Sequence, residues 1–183
     1  MVMSSNKSNS LLKIAVFLGG VLFYQEAAIS KTYLTTEEAA AIFYQKNKMQ
    51  KIMLSLTKEQ MKSIKKKSGV RVRNSEMNIW RTDAGDWYIV DNVIGKHENI
   101  DIAVAITKDG KVKGVEVLTY RETYGYEVMN KKWLAQFKGK DNTETLKLDK
   151  QIKNISGATL SCRHVTDGVN RLTETWAQIL RYL

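Results

Sequence analysis

The chain of 183 residues has no proline, one cysteine (Cys162) and two histidines (His97 and His164). A single thiol excludes an internal disulfide framework, and two isolated imidazoles exclude a histidine- or cysteine-built metal centre. Without proline, chain reversals must come from glycine, asparagine, aspartate and serine. There is no G-x-G-x-x-G string and no Ser/His/Asp set, which argues against an NAD-dependent enzyme or a self-contained hydrolase. No apolar run approaches the roughly 20 residues of a spanning helix, so a multi-span membrane protein is excluded. What remains is globular: hydrophobic residues make up 43% and charged residues 26%, and the length suits one compact domain.

Lysine and arginine number 29 against 19 aspartates and glutamates, a net charge of +10. Such a field favours anionic partners. Apart from Lys65-Lys66-Lys67 and Lys131-Lys132, however, the lysines are scattered. No arginine stripe is interleaved with aromatics and no RNA-stacking motif is present. The excess reads as a solvated basic surface, with no nucleic acid as partner.

The first thirty residues read as an address. Lys13 leads into an apolar run, Ile14–Tyr24, followed by Gln25-Glu26 and then Ala28-Ile29-Ser30. A basic start, a short apolar middle and small residues before a cut after Ser30 predict a secretory signal, with an uncleaved anchor as the alternative. No cysteine lies near the leader, so a lipoprotein anchor is excluded.

In the chain that follows, Thr35-x-x-Glu38 and Thr57-x-x-Gln60 are capping boxes, predicting helices to about Lys46 and about Lys67, the second stopped at Ser68-Gly69. Strands are expected at 77–81, 87–94, 102–106 and 112–118. The last two are joined through Asp109-Gly110, a strong hairpin signal. Residues 127–137 predict a short amphipathic helix. From about Ser161, the residues Val165, Val169, Leu172, Trp176, Ile179, Leu180 and Leu183 predict one long helix with a single buried face. The fold class is α+β, an antiparallel sheet with helices packed on it in a single domain.

Ser156-Gly157-Ala158-Thr159-Leu160-Ser161 falls where a loop feeds that last helix. Small residues, three hydroxyls and free helix-start amides suit an anion. The same residues also suit a plain helix cap at Ser161 with a turn at Gly157. On the residues alone both readings stay open.

The string Ser156-Gly157-Ala158-Thr159 resembles the flavinylation motif of the FMN-binding domain family, which includes covalent-flavin subunits of sodium-pumping NADH:quinone oxidoreductases and of Rnf complexes. Two further features fall in that family's order. The Asp109-Gly110 hairpin resembles the strand pair before the flavin site, and Glu122-Thr123-Tyr124-Gly125 is similar to the family's Glu-Thr-x-Gly segment. The resemblance covers about residues 87–172. It implies FMN as cofactor, Thr159 esterified through the FMN phosphate by a flavin transferase, and Ser156, Gly157, Ala158, Leu160, Ser161, Glu122, Thr123 and Gly125 around the cofactor. It also implies an electron carrier more than an enzyme with its own substrate, serving redox partner proteins that include membrane-bound ones. Lys153 stands three residues before Ser156, where the family usually places an acid. The alternatives are reversible FMN binding and a basic secreted adaptor without cofactor. The expected organisation is a leader at 1–30, a helical segment at 31–69 and the FMN-binding domain at 70–183, in an extracytoplasmic or periplasmic location.

Overall fold

A computed structural model describes residues 31–45 and 47–183. The expected leader lies outside the described residues. Six strands, β1 (Lys31–Thr32), β2 (Met49–Ser55), β3 (Glu76–Thr82), β4 (Trp87–Ile94), β5 (Asn99–Ile106) and β6 (Val112–Tyr120), form one sheet in the order β1-β6-β5-β4-β3-β2. Every neighbouring pair is antiparallel. The long helix α4 (Thr159–Gln178) lies across one face. It buries Val165, Val169, Leu172 and Trp176 against Ile89, Val93, Ile102, Val104 and Val117. The other face is covered over β5 and β6 by α1 (Thr36–Tyr44), through Ala39, Ala40 and Tyr44. The expected α+β class is the one observed.

The local chemistry explains the element ends. Both capping boxes close as expected. The Thr35 Oγ1 accepts from the Glu38 amide at 3.1 Å and the Glu38 carboxylate accepts from the Thr35 amide at 2.7 Å. Thr57 and Gln60 do the same at the start of α2 (Lys58–Ser68). At the β5–β6 hairpin Gly110 has φ +85°, and a Cβ there would lie 2.3 Å from the Trp176 ring. Only glycine fits both the turn and the helix end beneath it.

Three expectations are corrected. Residues 127–137 are not one helix. A 3-10 turn at Tyr126–Met129 is cut by Asn130, an extended residue whose side chain caps α3 (Lys131–Leu134), and a second turn follows at Ala135–Phe137. The last helix begins two residues before Ser161, at Thr159, and ends before Leu183, which is 55% exposed and outside the buried face. Strands β1 and β2 are additional to those expected.

The sheet splays at one end of the β3–β4 pair. Pairing of β3 with β4 runs only from Asn78↔Val90 to Arg81↔Trp87, and beyond Val90 the two strands part around a cavity of about 400 Å³. In that gap Arg171 of α4 takes the place of a strand. Its Nη2 donates to the Asp91 carboxylate at 2.5 Å and to the Asn92 carbonyl at 3.2 Å, while Asp91 Oδ1 accepts from the Asn92 amide at 2.8 Å. Both peptide groups of Asn92 are thereby satisfied by side chains. The Arg171 side chain is 7% exposed. Burial pushes the Asp91 carboxyl above its usual range although Arg171 pulls it back. Removing the guanidinium leaves the half-buried Asp91 carboxylate and the Asn92 carbonyl without their partner, so Arg171→Ala should lower stability by about 3 kcal/mol, measured by urea unfolding. A loss no larger than that of an exposed lysine variant would contradict this role.

Candidate functional site

The hydroxyl of Tyr120, at the end of β6, donates to the Tyr124 carbonyl at 2.5 Å and lies 2.9 Å from Ser161 Oγ, one half-turn into α4. Gly125, with φ +90°, packs into the same point, and a Cβ on it would lie 2.7 Å from both Ser161 Oγ and Tyr120 Oη. Thus the Glu122–Gly125 loop and the Ser156–Ser161 string, far apart in sequence, meet through one tyrosine. Ser161 is buried and serves this junction. It is not the helix cap; α4 starts from Ala158 with no side-chain cap at all, leaving its first amides without an internal acceptor.

The side chain of Thr159 is half-buried, and its Oγ1 accepts from Asn154 Nδ2 at 3.1 Å. Among the described residues that hydroxyl has no other hydrogen bond, so its proton and second lone pair are uncommitted. Thr159 lines an open cavity of about 350 Å³ with Leu146, Lys147, Leu148, Asp149, Arg163, Thr166 and Asp167. That volume is in the usual range for a small-ligand cleft. Arg163 and Lys147 are exposed cations beside the hydroxyl. Burial pushes the Asp167 carboxyl up, against the pull of His164 and Arg163. The groove wall is pinned by Asn170, which accepts from the Leu146 amide and donates to the Leu146 carbonyl, each at 2.9 Å.

The other sequence candidates fall in different places. Ser156 and Gly157 are exposed, Gly157 with φ +86° and open space around it, and Ala158 is buried. Leu160 and Thr123 face outward. Glu122 is engaged elsewhere: its Oε1 accepts from the His97 amide at 2.5 Å and the Glu98 amide at 3.0 Å, closing the β4–β5 loop. Burial would raise its carboxyl, but these amides outweigh it and hold it below the usual range. Among the described residues no hydrogen bond or ion pair joins Glu122 to Thr159. Cys162 is buried and its thiol is pushed up by burial, so it stays protonated and inert. Lys153 is exposed, its carbonyl accepting from Trp133 Nε1 at 2.6 Å. Among the described residues no cluster could hold a metal ion.

With this geometry in place, the comparisons bear on it directly. Residues 95–174 match the FMN-binding domain family, spanning the Glu122 loop, the cavity and the first four turns of α4. The match covers less than half of the chain, and the stretch is similar to that domain. FMN is the cofactor to which the match points. The crystal structure of Shewanella oneidensis NqrC is similar over 71% of this chain and 68% of that chain, with TM-score 0.49 and 19% identity. No curated protein matches the chain.

The positions that the sequence alone did not mark are Tyr120, Asn154, Lys147 and Asp167. None belongs to a motif; they lie 5 to 41 residues from their partners in the chain or across the cavity.

Two measurements check the arrangement. Tyr120→Phe should destabilise by about 1–3 kcal/mol, since it leaves Ser161 Oγ and the Tyr124 carbonyl under-satisfied. A double cycle with Ser161→Ala should be clearly non-additive. Glu122 has a lowered folded pKa, so its contribution is present above its unfolded pKa near 4.5 and is lost as pH falls through the lower folded value. The protection factors of the His97 and Glu98 amides, measured relative to the intrinsic exchange rate at each pH, should therefore fall as pH drops through the lowered folded value in the native protein, and be lower at neutral pH in Glu122→Gln. Unchanged protection of both amides in that variant would contradict the assignment.

Proposed function

We propose that the chain is an exported flavoprotein that carries FMN as a phosphoester on Thr159 and passes electrons between redox partner proteins. The observation that supports this most is the uncommitted Thr159 hydroxyl at the uncapped start of α4, opening on a cavity with two cations. Arg163, Lys147 and the free amides would neutralise the phosphate. Leu146 and Leu148 would supply apolar wall to the ring system, and Thr166 and Asp167 polar partners along the same helix face. Bound FMN supplies the redox chemistry, and the protein supplies position and dielectric.

Attachment is a group transfer without change of oxidation state. The Thr159 Oγ–P bond forms as a phosphoanhydride bond of an activated flavin donor breaks, the donor's second phosphate departs as a free phosphate monoester, and the hydroxyl proton passes to a base of the flavin transferase. Asn154 contributes orientation: donating to one lone pair, it fixes the rotor while leaving the other free for attack. The link is made at the phosphate, so the isoalloxazine keeps its own properties.

A second reading, reversible FMN binding in the same cavity, is favoured by one observation. Lys153 puts an exposed cation where a transferase of this family usually meets an acid. Co-expression with a flavin transferase followed by denaturing electrophoresis and intact-mass measurement separates the two. The covalent reading predicts a fluorescent band and an added FMN mass, lost in Thr159→Ala and kept in Thr159→Ser. A yellow native protein whose denatured band is dark supports reversible binding instead. A Thr159→Ala chain that keeps the added mass overturns the acceptor assignment.

A further inference from the structure

We propose that the end of the domain at which α4 begins lies against an anionic lipid surface, with Tyr124, Tyr126 and Leu160 in the headgroup layer. These three side chains are 80%, 58% and 43% exposed. They form one patch, because the Tyr120 hydroxyl ties the Tyr124 carbonyl to Ser161, next to Leu160, and the turn beginning at Tyr126 packs on α4. Tyrosine is a side chain suited to an interface, its ring apolar and its hydroxyl wet.

Charge and chain path agree on the occupant. Exposed Lys96 lies in the loop that Glu122 closes, exposed Lys132 follows the Tyr126 turn, and exposed Lys153 and Arg163 stand three residues before Ser156 and three after Leu160, against exposed Glu98 and Glu127, while the Glu122 carboxylate is engaged by backbone amides. Basic groups around exposed apolar ones complement anionic headgroups. Lys31 pairs with Tyr120 and β1 runs antiparallel to β6, so the chain before residue 31 leaves from this same end. Only Gln25–Ser30 separates Lys31 from the apolar run Ile14–Tyr24. Six residues reach at most roughly 20 Å. In the uncleaved chain, with that run in a bilayer, the patch is the part of the domain held nearest the lipid. An acidic protein partner would account for the charge but not for the chain path.

The test uses the full chain with its leader, in a Thr159→Ala background so that flavin attachment does not enter the readout. A fluorophore is placed at Tyr124→Cys and, separately, at Met53→Cys on the far edge strand, where the side chain is 90% exposed. Cys162 is buried and does not label. Vesicles of phosphatidylcholine, alone or mixed with phosphatidylglycerol, carry a nitroxide lipid as quencher. Quenching should be several-fold stronger at position 124 than at 53 and strongest on the anionic vesicles. Lys132→Glu with Lys153→Glu should bring it down to the level of neutral vesicles. Equal quenching at the two positions, or quenching at 124 indifferent to lipid charge and to the charge reversal, overturns the proposal. So does a probe at 124 that stays unquenched by lipid but is shielded from an aqueous quencher by an added acidic protein.

Discussion

The arrangement rests on one hydroxyl, that of Tyr120. Apolar packing holds α4 on the sheet, but burial is non-directional and leaves a helix free to slide or roll by small amounts. Polar pins remove that freedom. Tyr120 fixes the first turn through Ser161, Asn170 fixes the middle through both peptide groups of Leu146, and Arg171 fixes the far side through Asp91 and Asn92. Each pin reaches a different element: β6, the 140–152 connection and β4. The Tyr120 pin sets where Thr159 stands, because Ser161, which it holds, is two residues from Thr159, and the same hydroxyl also holds the 122–125 loop.

Arg171 shows how a sheet can be opened without leaving peptide groups bare. Where β3 turns away from β4, a buried strand edge would lose its hydrogen bonds at a cost of about 1–3 kcal/mol per group. A guanidinium and a carboxylate supply the missing donor and acceptor to Asn92. The opening gives a cavity separate from the one at Thr159, since Arg171 and Thr159 lie three turns apart on α4 and line different clefts.

Much of this was legible where the signal is local. Threonine with Glu or Gln three residues on, and Asp-Gly between apolar runs, each specify a backbone state through their own side chains, and α1, α2 and the β5–β6 hairpin formed there. The edge strand β2 was not legible. Met49–Ser55 packs one side only loosely, so exposed Lys51 and Met53 blur any alternation. Asn130 reads as a neutral helix residue, yet its side chain prefers the amides of Lys132 and Trp133 and breaks the helix expected at 127–137. At the site, the motif residues could be named from the chain, but their meeting at Tyr120 and the cavity wall from Lys147 to Asp149 could not, because that wall is a polar connection without periodicity.

The openness of the cavity bears on why a covalent link would be of use. Arg163 and Lys147 are exposed, so water and salt screen their pull on a phosphate. The uncapped helix start adds only about 0.3–1 kcal/mol at an exposed site. Interactions of that size orient a dianion without retaining it, and a carrier working where free FMN is scarce would stand largely empty by mass action. A tighter, enclosed pocket would retain the flavin but shut its redox edge away from partner proteins. The esterification proposed at Thr159 would resolve the conflict: retention would pass to one bond at the phosphate, and the remaining surface would stay open for electron exchange.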